Sequence, residues 1–253
     1  MKRLNAIFFH FALGVFGNLY AAEAPNILLI LADDLGYSDL GSYGGEIDTP
    51  NLDRLAADGL RFSQFYNTGR CWPTRASLMT GLYPHQANHG MIFGQTAPRG
   101  YQGTRKTDGL MIPEILKPAG YLTYQLGKWH LGKNRPNLNE TWPLARGFDH
   151  SYMAVTLQNY HNPDLLYDDT QPIKRPGGPV PMGDGSYYLT SDLTDRTIAY
   201  LKEHAASHSE QPFFIYLAYT APHFPLHALP QDIERFRGRY RKGWDSIRKE
   251  RLE

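Results

Sequence analysis

Three uninterrupted apolar runs constrain the fold of this chain more than any other feature of its sequence. The runs occupy residues 26–32, 121–126 and 212–219. Continuous apolar stretches of this length are typical of strands buried on both faces, as in a parallel sheet with helices on either side. Helical patterns lie between them, at residues 50–58, 112–117 and 189–206. A chain of 253 residues can bury a full core, so the sequence predicts one α/β domain, or most of a larger one, with a mostly parallel central sheet.

Each of the three predicted strands is followed by polar side chains that can do chemistry. Asp33 and Asp34 follow the first strand, Lys128 and His130 the second, and His223 the third. In open α/β sheets, ligands collect at the carboxyl ends of the strands. Core packing does not explain why all three strands end in this way. The sequence therefore predicts a single functional site at this edge of the sheet.

The adjacent carboxylates of Asp33 and Asp34 repel each other and need a cation or hydrogen bonds to stay ionised together. Carboxylate oxygens suit calcium or magnesium, but the pair could equally cap the turn that follows it. Lys128 offers a point charge for an oxyanion, and His130 can donate or exchange a proton. A surface turn is the alternative interpretation of the Lys-x-His spacing.

The only cysteine of the chain, Cys71, has no partner for an internal disulfide. Residues 74–80 read as a short helix that ends at Gly81, which places Cys71 just ahead of a helix N-terminus. Free N–H groups and the helix dipole favour negative charge there, and Arg75 lies one turn further on. The pattern indicates an oxyanion site, although a lone cysteine is more commonly an inert buried thiol.

Three motifs together resemble those of one enzyme family. They are Cys-Trp-Pro-Thr-Arg at 71–75, which continues through Thr-Gly into Leu-Tyr-Pro-His at 82–85, Gly-Lys-Trp-His-Leu-Gly at 127–132, and Ala-Pro-His-Phe-Pro at 221–225. This set closely resembles the type I, formylglycine-dependent sulfatases of the arylsulfatase kind. The resemblance extends over residues 25–253, as the N-terminal portion of a longer sulfatase domain. It implies an alkaline-phosphatase-like three-layer sandwich whose C-terminal part, with a later Asp-Asn metal ligand pair and a second lysine, is missing.

The resemblance also implies a mechanism. Cys71 would be oxidised to formylglycine by a formylglycine-generating enzyme, and one hydroxyl of the aldehyde hydrate would attack the sulfur of a small-molecule or glycan sulfate ester. Asp33, Asp34 and the side chain at position 71 would hold Ca²⁺. Four further side chains would stabilise charge or transfer protons, namely Arg75, Lys128, His130 and His223. Two alternatives are a formylglycine-dependent phosphonate or phosphodiester hydrolase and an inactive sulfatase fragment.

Two other regions carry weaker signals. Residues 60–66 read as a short strand that leads into the Cys71 loop. Residues 133–186 are rich in Pro, Gly, Asn and Asp, and we expect a long irregular insert there. Inserts of this kind often shape a substrate pocket, but their composition does not identify the substrate.

The first residues have the order of a secretory signal. Lys2 and Arg3 precede an uncharged, largely apolar run at 4–20, which two alanines follow. The run contains polar residues and is short for a membrane span. We therefore predict a signal peptide at 1–22, export to the periplasm or the extracellular space, and no stable membrane insertion. The formal net charge of +1, without a basic stripe, argues against a nucleic-acid partner.

Overall fold

Six strands form one sheet in the computed structural model, which describes residues 24–91, 96–103, 108–132, 139–154, 159–163, 165–173 and 187–252. The predicted signal peptide at 1–22 lies outside these residues. The strands are β1 (Ile27–Asp33), β2 (Leu122–Lys128), β3 (His150–Ala154), β4 (Leu166–Asp168), β5 (Gln171–Ile173) and β6 (Phe213–Pro222). The α-helices are α1 (Pro50–Asp58), α2 (Cys71–Thr80), α3 (Ile112–Leu116), α4 (Leu189–Ser207), α5 (Pro230–Arg235) and α6 (Trp244–Leu252). Short 3₁₀ turns occupy Tyr37–Asp39, Gly41–Tyr43, Lys117–Ala119 and Leu144–Arg146.

The sheet has the order β1-β6-β2-β3-β4-β5. The pairs β1–β6, β6–β2 and β2–β3 are parallel, whereas β3–β4 and β4–β5 are antiparallel. The three apolar runs of the sequence are thus direct neighbours, with β6 between β1 and β2. Their carboxyl ends meet at one edge of the sheet. This arrangement confirms the predicted α/β fold with a mostly parallel sheet.

Successive residues of β6 enter two separate cores, one on each face of the sheet. Phe214, Tyr216 and Ala218 belong to the core that also contains Ala76 and Met79 of α2. Ile215 and Leu217 belong to the second core, which α4 covers with Leu189, Leu193 and Tyr200. Since side chains of a strand alternate between its faces, this division gives three layers, with the sheet between helices.

Helix α4 contacts the sheet through one stripe of residues at helical spacing. Leu189, Leu193, Thr197, Tyr200 and His204 are buried, three or four positions apart. Within the part of the chain that the structure describes, no helix is both long and apolar enough to cross a lipid bilayer.

Two predictions of secondary structure were wrong. Residues 60–66 form no strand, and Leu60, Phe65 and Tyr66 are largely exposed, because no sheet strand lies beside them to pair with. The expected irregular insert at 133–186 contains strands β3, β4 and β5 among its described residues. These strands are only three to five residues long, too short for a periodic signal.

Glycine is required at position 127 of β2, directly before Lys128. Gly127 has a φ of +87°, and a Cβ there would lie 2.1 Å from the carbonyl oxygen of Ala218 in β6. Gly81 ends α2 with a φ of +70°, but a Cβ there would meet nothing within 4 Å. The two glycines therefore separate the cost of the backbone conformation from the cost of a steric clash.

We expect Gly81→Ala to lower the free energy of unfolding by about 1–2 kcal/mol, the usual cost of a left-handed conformation for a residue with a Cβ. Gly127→Ala has the same conformational cost and must also displace β6. We therefore expect it to lower the free energy of unfolding by clearly more than Gly81→Ala does. Urea denaturation of the full chain measures both values. Equal losses for the two variants would show that the β2–β6 contact tolerates a methyl group.

Candidate active site

The carboxylate of Asp33 lies at the centre of a buried charge cluster at the carboxyl edge of the sheet. Asp33 is the last residue of β1, and Lys128, the last residue of β2, donates a hydrogen bond from Nζ to its Oδ2. Arg75 Nη2 lies 3.4 Å from Asp33 Oδ1. The Arg75 and Lys128 side chains are 1% and 0% exposed. Two buried cations thus share one carboxylate, which leaves an excess positive charge.

Arg75 is held in place but is not saturated with hydrogen bonds. Its Nη1 donates to the backbone carbonyl of Lys128 (2.7 Å) and to the hydroxyl of Tyr216 (2.9 Å). Its Nε and Nη2 have no hydrogen-bond acceptor among the described residues. Buried donors are nearly always paired, and a guanidinium is suited to binding two oxygens of a tetrahedral anion. The unpaired donors and the excess charge together define a site for an oxyanion.

Cys71 is the first residue of α2 and a half-buried free thiol. The sequence predicted it just ahead of the helix, but the helix begins three residues earlier than expected, with Arg70 as its N-cap. Cys71 and Arg75 are four residues apart on one helix, so their side chains lie on the same face. The thiol therefore lies at the helix N-terminus and one turn from the guanidinium of Arg75.

Asp34 and His223 meet at the rim of the cluster. His223 Nε2 lies 3.5 Å from Asp34 Oδ2, and the Asp34 side chain is 59% exposed. Asp34 has a φ of +62°, a left-handed conformation that is uncommon for a residue with a Cβ. The backbone carbonyl of His223 accepts a hydrogen bond from the Tyr160 hydroxyl at 2.6 Å. His223 thus faces the site while its backbone is fixed from behind.

His130 contacts the N-terminus of α2 through Trp72, whose ring it meets edge-on at 5.3 Å. Its buried Nδ1 has no hydrogen-bond partner among the described residues. Burial, followed by the charges of Lys128 and Arg75, lowers the pKa of His130 to about 3. At neutral pH the ring is therefore uncharged, and it can offer one N–H to a ligand but no positive charge.

The structure brings all the predicted residues to one edge of the sheet. Five of them form two contacting groups, and Cys71 and His130 lie beside these groups. Asp33 contacts Arg75 and Lys128, and Asp34 contacts His223. Two tyrosines of the site were missed by sequence reasoning. Tyr216 lies in the apolar run of β6 and resembles a core residue, and Tyr160 follows a segment without periodicity. Neither gives a sequence signal that separates it from the other tyrosines of the chain.

The described residues include no group of three or more His, Cys, Asp or Glu side chains that could hold a metal ion. Asp33 and Asp34 are the oxygen ligands that calcium prefers, but two carboxylates supply at most about four of its six to eight oxygens. The Asp33 oxygens are engaged by Lys128 and Arg75. The acidic pair would therefore supply only part of a calcium site, and further oxygen ligands would be needed to complete it.

The chain is thus an α/β protein with a buried cationic cluster at the carboxyl ends of parallel strands. Residues 25–252 match the family model described as Sulfatase. Because this match extends over nearly the whole chain, the protein belongs to the sulfatase family. The fold is accordingly the alkaline-phosphatase-like fold of that family.

Several curated relatives are similar to the chain. An arylsulfatase of Klebsiella aerogenes is 36% identical over 93% of this chain and 51% of its own length. An uncharacterised sulfatase of Schizosaccharomyces pombe is 36% identical over 92% of this chain and 44% of its own length. Human N-acetylgalactosamine-6-sulfatase is 36% identical over 82% of this chain and 41% of its own length. The chain thus spans about half the length of the curated relatives it matches.

Two solved structures are also similar. Ps i-CgsB in complex with k-i-k-neocarrahexaose has a TM-score of 0.71 and 30% identity, covering 90% of this chain and 51% of that one. BT4656 in complex with its substrate D-glucosamine-2-N,6-O-disulfate has a TM-score of 0.62 and 28% identity, covering 84% and 37%. In both comparisons the matched region is a much smaller share of the solved chain than of this one.

Replacing Asp33 by asparagine removes the only carboxylate that the buried Lys128 and Arg75 share among the described residues. We expect Asp33→Asn to lower the free energy of unfolding by about 3–5 kcal/mol, the usual cost of leaving a buried charge uncompensated. Asp34→Asn, at the exposed carboxylate, is expected to cost less than about 1 kcal/mol. Urea denaturation in the presence of a chelator compares the two. A loss no greater at position 33 than at position 34 would refute the central role of Asp33.

Proposed function

We propose that this protein hydrolyses sulfate esters at the site formed by Asp33, Arg75 and Lys128. The observation that carries the proposal is the buried guanidinium of Arg75, whose Nε and Nη2 have no hydrogen-bond acceptor among the described residues, beside Lys128 and the N-terminus of α2. These groups favour a tetrahedral oxyanion, and membership of the sulfatase family narrows the anion to a sulfate ester. In the net reaction, water cleaves the ester into an alcohol and sulfate.

The proposal also includes a modified residue, formylglycine, and a metal ion, Ca²⁺. Oxidation of Cys71 to formylglycine, by a formylglycine-generating enzyme, would supply the nucleophile. Asp33 and Asp34 would hold Ca²⁺, which as a Lewis acid polarises sulfate oxygens. The position of Cys71 at the start of α2 supports the first assignment, and the adjacency of the carboxylates supports the second.

The side chains of the chain itself would bind and orient the ester. The free donors of Arg75 and the charge of Lys128 stabilise the negative oxygens of the sulfuryl group, where charge grows in the transition state. His223 Nε2 lies 3.5 Å from Asp34 Oδ2 at the rim of the site, where it is positioned to transfer a proton to the oxygen of the leaving alcohol. His130 is uncharged at neutral pH and contributes a neutral hydrogen bond instead.

Two comparisons support a glycan sulfate as substrate. The solved structure of BT4656 contains its substrate D-glucosamine-2-N,6-O-disulfate, and that of Ps i-CgsB contains k-i-k-neocarrahexaose. The arylsulfatase relative supports a small aryl ester equally well. Residues 1–22 support export of the protein to the periplasm or the extracellular space.

Cys71→Ala tests the nucleophile. The chain is co-expressed with a formylglycine-generating enzyme, and peptide mass spectrometry verifies the oxidation of Cys71. We expect hydrolysis of nitrophenyl sulfate by the oxidised protein and complete loss in Cys71→Ala, because alanine has no nucleophile. The exposed Ser209→Ala variant, remote from α2, serves as the control and keeps the activity. Faster turnover of an aryl phosphate diester than of the sulfate would favour a phosphodiesterase, and activity in Cys71→Ala would refute the nucleophile.

Calcium binding is tested by stability. A ligand at about 100 times its Kd stabilises a native protein by roughly 2.7 kcal/mol, so Ca²⁺ in such excess is expected to raise the melting temperature. Asp33→Asn and Asp34→Asn should each reduce that rise. Asp245→Asn, whose side chain is 98% exposed, should leave it intact. Scanning calorimetry with and without a chelator measures the shifts, and an equal calcium effect in all variants would place the ion elsewhere.

A further inference from the structure

A pocket lies beside the candidate active site and has no role in the chemistry described so far. Its volume is about 590 Å³, within the range typical of small-ligand sites. His161 and His227 line it, together with Leu226 and Ile233. Leu226 is 82% and Ile233 55% exposed, so both present apolar surface to the solvent.

One tyrosine connects this pocket to the candidate active site. The Tyr160 hydroxyl donates to the backbone carbonyl of His223 at 2.6 Å, and the Tyr160 backbone N–H donates to His227 Nδ1 at 3.2 Å. Tyr160 is 1% exposed and is therefore held in the protein interior. The pocket and the proton-transferring His223 are therefore held at a constant separation. A single residue, Tyr160, thus lies between His223 and His227.

The hydrogen bonds of His227 determine what the pocket can bind. Since Nδ1 accepts a hydrogen bond from the backbone N–H of Tyr160, the hydrogen of the neutral ring is on Nε2. Burial and the neighbouring His161 lower the pKa of His227, which favours the neutral ring. The Tyr188 hydroxyl holds the His227 carbonyl at 3.1 Å and so fixes the backbone. His227 therefore presents a positioned N–H donor in a half-buried place.

The remaining groups of the pocket match a sugar ring better than an aryl group. The pocket combines apolar surface from Leu226 and Ile233 with imidazole edges and with the exposed ion pair of Glu234 and Arg237. A sugar ring likewise has one face of C–H groups and an edge of hydroxyls, whereas an aryl ring needs a continuous apolar slot. Resting on the proposed function, we propose that His227 donates a hydrogen bond to a hydroxyl of a sugar ring that carries the sulfate ester.

The test measures binding, which does not require turnover. The probes are a set of monosulfated methyl hexosides and, for comparison, nitrophenyl sulfate, titrated into the full chain by saturation-transfer NMR. In His227→Phe the ring shape is kept and the donor is lost. We expect the Kd of the best hexoside to rise about tenfold more than that of nitrophenyl sulfate, the effect of losing one hydrogen bond of about 1.4 kcal/mol. His227→Gln, which keeps an N–H donor, should recover part of the loss.

His208→Phe is the matched control, because His208 is an exposed histidine after α4, at the opposite end of β6. It should leave the binding of both probes unchanged. Equal weakening of both probes in His227→Phe, or no hexoside binding by the unmodified chain, would overturn the assignment of His227. Hexoside binding that depends on His227, without hydrolysis of any sulfate ester, would instead refute the proposed function alone. In an active protein, His227→Phe should raise KM for the hexoside with little change in kcat.

Discussion

The shared carboxylate of Asp33 is the interaction on which the rest of the site depends. Lys128 and Arg75 are both buried, and burying an unpaired charge costs several kcal/mol. A single carboxylate at the end of β1 pairs with both, and in doing so it joins β2 and α2 to β1. Tyr216 of β6 completes the connection through Arg75. The same contacts therefore hold the architecture together and define the anion site.

One carboxylate cannot neutralise two cations, and the remaining charge has further effects. It attracts an anion into a place where few waters screen the interaction. It also contributes to keeping the neighbouring His130 uncharged at neutral pH. Oxyanion binding and the protonation state of a histidine thus have a common physical origin. His223 lies at the rim of the cluster, where it faces the exposed carboxylate of Asp34.

The sequence predicts the location of the site but not its internal contacts. Apolar runs that end in Asp33, Lys128 and His223 place the site at the strand ends, since parallel strands share an edge. The ion pair of Asp33 with Lys128 depends on β6 lying between β1 and β2, and strand order is not written in local periodicity. Tyr216 was missed because its neighbours in sequence are apolar.

Local errors have equally specific causes. Residues 60–66 have apolar character but no neighbouring strand, and pairing rather than propensity decides whether a strand forms. Strands β4 and β5 escape prediction because each has three residues. The predicted start of α2 was late, because Cys71 and Trp72 are not typical helix-starting residues.

The position of β6 has a consequence for the charge cluster. Strands β1 and β2 do not pair with each other, because β6 lies between them. Phe213 at the start of β6 contacts Asn26 across 187 positions of the chain, so closing the sheet requires a very long loop. The ion pair of Asp33 with Lys128 therefore joins two strands that are neighbours only through β6, so the charge cluster depends on the last strand of the sheet in the described chain being in place.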